Sequence, residues 1–469
     1  MDMNNEHRIY GPKDLHRVLE HLDAMRESDL GLLMELTAQP SVSARDMGVK
    51  ECTELLCRIL RDAGCTRAEV FPTQGQPVVY GEMPSSDASA PTVLFYGHYD
   101  TQPADPEEEW LTPPWTPTLK DGRLYGLGTA DNKGQLLAHI LATRSWLSAA
   151  GGLPVNVKFI LDGEEESGSP SMADFALAHK DLLKADLVYN SDGPMSPGEF
   201  PEIKMGSRGD LSAEIELVTA THQNHSKTGQ LIPNPAIELC RLIASMIDGD
   251  GNVLIEGFYD QVPPMTDYER QLVEELDFDP EKLAAIYGTK TLMKKDKQSY
   301  YEQLMFKPTL TVNGMCSGYY GEGHKTCVPR SALAKLDIRL VKGMDPGDVA
   351  EKLRRHAARF CPEARVIIRD QPMLPSRTSA ELPICQAVFE GVRAVYPKAV
   401  IHPSSGGSTP GYVWTELLKM PCVLVPYGNS DQTNHSPNEN LKLSCYWAGI
   451  RVSAEVMYRI GAMDRQTSR

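Results

Sequence analysis

The chain has 469 residues, 41% of them hydrophobic and 23% charged, and a formal net charge of −16 with its histidines neutral. That length exceeds what one hydrophobic core usually supports, so two or three domains are expected, and the composition excludes an intrinsically disordered chain. The acidic balance argues against nucleic acid or an anionic membrane surface as partner.

The N-terminal run Met1–Tyr10 has neither a cationic start nor an apolar stretch, so no signal peptide is expected. No window reaches the roughly 18 consecutive apolar residues that a membrane span needs. Ten scattered cysteines form no Cys-x-x-Cys pair. They read as reduced, buried thiols and point to the cytoplasm.

Residues 11 to 66 carry apolar side chains at helical spacing, as in Leu15, Val18, Leu19 and Leu22, then Leu55, Leu56, Ile59 and Leu60. They predict two surface helices on a sheet. Pro91–Tyr96 reads as a buried strand that delivers Gly97-His98-Tyr99-Asp100, with His98 and Asp100 on one face of extended backbone so that one can ligate while the other orients it. Next comes Gly126-Leu-Gly128-Thr-Ala-Asp131-Asn-Lys-Gly134 and a helix from Gln135 to Ala149. The glycines do not follow Gly-x-Gly-x-x-Gly, which argues against a nucleotide site, and by itself Asp131 reads as an N-cap.

The strand Val155–Leu161 runs straight into Asp162-Gly-Glu164-Glu165-Glu166-Ser-Gly-Ser169. Three successive carboxylates at the carboxyl end of a buried strand repel one another unless a cation neutralises them. Asp186–Asn190 is a further strand that ends at Asp192, and Pro421–Pro426 is another that opens toward Asn434-His435-Ser-Pro. Four strand-like runs thus finish within about ten residues of a His, Asp or Glu suited to a metal.

Between about 209 and 373 the pattern changes. Strand Leu211–Thr219, helix Ala236–Ile247 with Asn234-Pro235 at its start, a long insertion to about 308, strand Ala332–Val341, helix Pro346–Phe360 and strand Arg365–Arg369 give a β-α-β-β-α-β-like order. This splits the parallel α/β sheet into residues 1–208 and 374–469, with residues 209–373 as an inserted domain.

His98, Asp131, Glu166, Asp192 and His435 offer two imidazoles and three carboxylates, a mixture suited to Zn²⁺ and tolerant of Mn²⁺ or Co²⁺. Five side chains would close one zinc site, whereas two ions sharing a carboxylate would each keep room for water. A water shared by two such ions, the metal-bridging hydroxide once ionised, can attack a carbonyl, with Glu165 as the base that takes its proton.

The motifs Gly-His98-Tyr-Asp100-Thr-Gln-Pro, Gly-Thr-Ala-Asp131-Asn-Lys-Gly, Asp-Gly-Glu-Glu165-Glu166-Ser-Gly-Ser and Asn-His435-Ser-Pro make nearly the whole chain similar to the cocatalytic di-zinc metallopeptidases. That family includes carboxypeptidase G, aminoacylase, succinyl-diaminopimelate desuccinylase and the carnosine-type dipeptidases, and the chain most resembles the dipeptidase branch. The resemblance implies an α/β fold: a phosphorylase/hydrolase-like three-layer α/β/α catalytic domain with an inserted ferredoxin-like α+β lid that carries a homodimer interface. It implies two Zn²⁺, with His98 and Asp192 on one ion, Glu166 and His435 on the other and Asp131 bridging. It further implies Asp100 holding His98, Glu165 as general base and a cis peptide after Asp131. His225 matches the position of the histidine that stabilises the oxyanion, and Thr326, Arg339, Gly407 and Ser408 match substrate-binding positions. Arg339 has the bidentate fork that suits a terminal carboxylate. His225-Ser-Lys-Thr-Gly-Gln and Ser404-Ser405 depart from the branch's usual residues, and both departures concern substrate contacts. His139, His324 and His402 read as structural or exposed.

The expected function is therefore hydrolysis of the amide bond of a dipeptide or similar small substrate. N-acyl amino acid hydrolysis is the alternative within the enzyme class, and a non-catalytic metal-binding assembly protein is the alternative outside it.

Overall fold

A computed structural model of the chain describes residues 10–463. The signal-peptide reading therefore falls, apart from Tyr10, outside the described residues. Contacts gather the chain into two units: one runs up to Met205 and takes in Thr378–His402 and the chain from Val413 onward, and the other comprises Gly206–Arg377 and Pro403–Tyr412. No helix among the described residues is long and apolar enough to cross a membrane.

The first unit is built on an eight-stranded mixed sheet in the order Arg67–Phe71, Val78–Met83, Asn156–Asp162, Thr92–His98, Leu187–Asn190, Cys422–Leu424, Glu202–Lys204 and Val400–His402. Its centre is parallel: Thr92–His98 pairs on one side with Asn156–Asp162 and on the other with Leu187–Asn190, which pairs in turn with Cys422–Leu424. The two strands at the N-terminal edge run antiparallel. Thr92–His98 is buried at every position after the first and Leu187–Asn190 at all four, so both faces of the sheet are covered. That explains the unbroken apolar runs. Each fully buried Val, Leu or Phe contributes about 1.5–3 kcal/mol relative to exposure.

One glycine in this sheet bears on the site. A Cβ added at Gly97 would stand 2.9 Å from Leu136 Cβ and 3.0 Å from Asn132 Oδ1. Its absence lets the start of helix Gly134–Ser145 press against the end of the strand, which brings Asp131 beside His98.

The second unit contains a four-stranded antiparallel sheet, ordered Thr309–Ser317, Ser331–Leu340, Gly209–Val218 and Arg365–Met373. Burial alternates along Gly209–Val218 and Ser331–Leu340, the pattern of a sheet with one covered face. Helices Pro235–Met246 and Pro346–Phe360 cover it, with Leu239, Leu242, Val349 and Leu353 joining Leu211, Ile215, Leu336 and Ile338 in one core. Both helices begin with proline at the first position, capped by Asn234, which accepts the Ala236 N–H at 3.0 Å, and by Asp345, which accepts the Asp348 N–H at 2.9 Å. The insertion before Thr309 carries helices Asp267–Glu274, Pro280–Ile286 and Lys297–Met305.

The N-terminal region departs from expectation. It forms three helices, Pro12–Ala24, Arg26–Ala38 and Val49–Asp62, not two. No glycine or proline separates the first from the second, and the apolar period of the second is interrupted by Asp29, a buried carboxylate held by Arg144. The last strand of the second unit also runs on to Met373.

Candidate metal centre

Four parallel neighbours of the first unit carry the candidate residues at or beyond their carboxyl ends. His98 is the last residue of Thr92–His98, Glu165 and Glu166 open the turn after Asn156–Asp162, Asp192 follows Leu187–Asn190, and His435 lies in the loop after Cys422–Leu424. Asp131 comes from the turn Thr129–Lys133 that enters helix Gly134–Ser145, at φ −122° and ψ 85°, and its peptide bond to Asn132 is cis.

These side chains converge. His98 Nε2 lies 3.1 Å from Asp131 Oδ1 and 4.0 Å from both Glu165 Oε2 and Asp192 Oδ1. His435 Nε2 lies 3.2 Å from Asp131 Oδ2 and 3.0 Å from Glu166 Oε2. Asp131 thus stands between the two imidazoles with one oxygen toward each. His98, Asp131 and Glu166, and separately His98, Glu165 and Asp192, each place three ligand atoms within 4.8 Å of one another. By distance alone Glu165 is as able to ligate as its neighbours.

Asp100 is fully buried and anchors this arrangement. Its Oδ1 stands 3.3 Å from His98 Nδ1 and accepts the Glu165 N–H at 3.1 Å, while Oδ2 accepts the Glu166 N–H at 3.2 Å and the Ser43 hydroxyl at 2.7 Å. One carboxylate therefore orients the imidazole and the acidic turn together. Further polar groups with no strong local pattern hold the others. Gln102 donates to Glu166 Oε2 at 3.0 Å, Asn132 to Asp192 Oδ1 at 3.2 Å and Asn434 to Asp131 Oδ2 at 3.2 Å. Sequence reasoning missed these amides, although Gln102, Asn132 and Asn434 each stand inside a motif it singled out.

Electrostatics show what the cluster lacks. Among the described residues no Lys or Arg pairs with Asp131, Glu165, Glu166 or Asp192. Burial, reinforced by Asp192 and Glu166, pushes Glu165 up to about 8 against the pull of His98, and burial with the charge of Asp131 pushes Asp192 up to about 6. Burial works against charge on Asp131, but its hydrogen bonds to His435 and His98 win and hold it well below the usual carboxylate range. Asp131 and Glu166 raise His435 to about 10. Four carboxylates answered by two imidazoles leave an excess of buried negative charge, which one or two divalent cations would neutralise. The donor set of imidazole nitrogens and carboxylate oxygens is the one zinc takes.

A family model described as Peptidase family M20/M25/M40 matches residues 94–459. The chain belongs to this family. The M20 peptidase is 30% identical over 390 residues to the Beta-Ala-His dipeptidase of Mus musculus, covering 81% of this chain and 78% of that one. It is 27% identical over 475 residues to a Cys-Gly metallodipeptidase of Schizosaccharomyces pombe, covering 96% and 99%. Among solved structures, an M20 family metallo-carboxypeptidase from Sulfolobus solfataricus superposes with a TM-score of 0.79 at 35% identity, over 93% of this chain and 99% of that one.

The remaining candidates of the M20 peptidase lie in its second unit, in two groups. His225 and Thr326 are neighbours: Asn224–His225 pairs antiparallel with Cys327–Val328, and Thr326 O accepts the Ser226 N–H at 3.0 Å. His225 is exposed, and its Nδ1 accepts the Lys227 N–H at 3.1 Å. In the neutral ring this leaves the proton on Nε2, available to donate. Arg339 and Ser408 form the other group, with Arg339 Nη1 donating to Ser408 Oγ at 2.8 Å. Asp337 takes Nε and Nη2 at 3.0 and 3.1 Å. One N–H remains on each terminal nitrogen of Arg339. Gly407 leaves open space where a Cβ would stand, and its carbonyl accepts the Arg208 N–H at 2.8 Å.

Proposed function

We propose that this M20 peptidase hydrolyses dipeptides at a centre of two Zn²⁺, held by His98, Asp131, Glu166, Asp192 and His435. The observation that carries the reading is Asp131, with one oxygen directed to each imidazole inside an acidic cluster that has no Lys or Arg partner among the described residues. The dipeptidase names of the curated relatives support the substrate class.

Bound divalent ions at such a centre polarise a scissile carbonyl and acidify water. The chain's own residues do the rest. Glu165 receives the proton of the attacking water at its carboxylate and delivers it to the leaving amine, the work of a general base and then a general acid. Asp100 holds the turn that aims Glu165 through the Glu165 and Glu166 N–H groups. His225 donates from Nε2 to the oxyanion, a charge-directed contact realised as negative charge develops. Arg339 takes the substrate's terminal carboxylate, with Thr326, Gly407 and Ser408 lining its backbone. We further propose that the enzyme works in the cytoplasm as a homodimer formed through the second unit. All ten cysteines are free, which suits a reducing compartment, and Thr309–Ser317 is an edge strand of its sheet.

A second reading, release of the C-terminal residue from a longer peptide, is favoured by the 35% identity to the Sulfolobus metallo-carboxypeptidase. N-acyl amino acid hydrolysis makes a similar demand, because both need a blocked amino group to be accepted. Zinc-loaded enzyme is assayed on free dipeptides, on the same dipeptides N-acetylated, and on N-acyl amino acids. Free dipeptides are expected to be turned over with the highest kcat/KM. Preference for the blocked substrates would replace the dipeptidase reading, and no turnover of any amide by zinc-loaded enzyme would favour a metal-holding assembly protein.

A further inference from the structure

Glu439 lies four residues beyond His435 and is 1% exposed. A buried carboxylate is costly unless it is paired or well hydrogen-bonded. Among the described residues no Lys or Arg forms an ion pair with this one. Its partners are instead three consecutive-turn N–H groups: Oε2 accepts from Gly128 at 3.0 Å, and Oε1 accepts from Ala130 at 2.9 Å and from Asp131 at 3.0 Å. The Glu439 carbonyl takes the Gly126 N–H at 3.0 Å, and the next residue, Asn440, pairs with Tyr125. The segment from Tyr125 to Asp131 is therefore tied at several points to the loop that presents His435. Nothing in the proposed reaction uses Glu439.

We propose that Glu439 is a positioning residue that sets the Gly128–Asp131 turn so that the Asp131 carboxylate lies between His98 and His435 before any metal arrives. This rests on the reading of Asp131 as a bridging ligand. A carboxylate suits the task because its two oxygens accept all three N–H bonds. An amide of the same shape has a single accepting oxygen, so its NH₂ would face at least one backbone N–H and force the turn to move. The effect falls on where Asp131 points, with all five proposed ligands still present.

The experiment compares Glu439→Gln with wild type by zinc titration against a chromophoric chelator, alongside thermal unfolding of the metal-free proteins. Asp431→Asn serves as control: that carboxylate sits in the same loop, is half exposed and pairs with Arg123. Wild type is expected to bind two zinc ions, Glu439→Gln to bind zinc at least tenfold more weakly, and Asp431→Asn to match wild type. If wild type binds two ions and Glu439→Gln matches its affinity, or if Asp431→Asn is equally weakened, the positioning role is overturned while the metal reading stands. A wild type that binds no zinc overturns both. Should Glu439→Gln fail to fold, hydrogen exchange on metal-free wild type decides. The peptide covering residues 127–133 is expected to be protected without metal, and full exchange within seconds would refute preorganisation by Glu439.

Discussion

Asp100→Asn is the sharpest test of how the acidic turn and His98 are held together. The carboxylate accepts three hydrogen bonds, the Glu165 N–H on Oδ1 and the Glu166 N–H and the Ser43 hydroxyl on Oδ2, and Oδ1 also stands 3.3 Å from His98 Nδ1, which lies 3.2 Å from the Asp100 carbonyl oxygen. Asparagine keeps the shape but has one accepting oxygen. If its NH₂ replaced Oδ1 it would confront both the imidazole and a backbone N–H, so the milder choice puts NH₂ at Oδ2. There the Ser43 hydroxyl can turn and accept, and the Glu166 N–H is left unsatisfied. One buried orphan N–H costs about 1–3 kcal/mol. In metal-free protein this is expected to lower the unfolding temperature by about 1–2 °C for each kcal/mol. His98 also exchanges a charged partner for a neutral one, and loss of such support typically weakens metal affinity by about 10- to 100-fold. Differential scanning calorimetry of chelated protein and zinc competition titration measure the two effects separately. An unfolding temperature indistinguishable from wild type together with unchanged zinc affinity would refute the claim that Asp100 supports the site.

Glu166→Ala removes the oxygen that stands 3.0 Å from His435 Nε2, and elemental analysis after dialysis is expected to find one zinc per chain instead of two; two would remove Glu166 from the ligand set. Arg339→Ala is expected to lower kcat/KM for a free dipeptide by about 10- to 1,000-fold, the equivalent of one or two charged hydrogen bonds, and to have little effect on the C-terminally amidated dipeptide; equal losses on both would mean that Arg339 does not read the carboxylate. His139 is buried, stacked on Phe95, and burial pushes its pKa down to about 3. The folded state then binds fewer protons than the unfolded state, in which the pKa is about 6.5, so its stability is fully present above pH 6.5 and erodes as the pH falls toward 3, by about 2 kcal/mol at pH 5. His139→Phe is expected to flatten urea-unfolding stability between pH 6.5 and 5 relative to wild type, and an unchanged slope would show that His139 is not held neutral.

The parallel core is legible because strands covered on both faces read as near-continuous apolar runs, as Thr92–His98 and Leu187–Asn190 do, while Asn156–Asp162 is interrupted by Lys158 before its apolar run Phe159–Leu161. Chemistry-bearing residues at the ends of such runs stand out for the same reason, since an acid after a buried strand needs an explanation. Other features leave weaker traces. The break between Pro12–Ala24 and Arg26–Ala38 has no glycine or proline, and Asp29 masks the period because its partner, Arg144, is 115 residues away. The strands Glu202–Lys204 and, at the edge of the sheet, Val400–His402 are three residues long, too short for an alternating pattern. Glu439 carries no local sign of its role, because a buried carboxylate that caps a distant turn looks in sequence like any surface glutamate. Asn132 and Asn434 are likewise common loop residues until the fold sets them against Asp192 and Asp131.

In the proposed reaction Glu165 moves the proton while its neighbours hold the metals. Distance leaves both roles open to it, since its carboxylate lies 4.0 Å from His98 Nε2 in a group able to ligate. Glu165→Gln, with zinc content and steady-state dipeptide hydrolysis measured on the same preparation, separates them. Two zinc ions per chain at wild-type affinity and a kcat reduced by about 10²- to 10⁴-fold, the usual contribution of a general base, are expected. Loss of a zinc ion from this variant, or retention of wild-type turnover, would contradict that role.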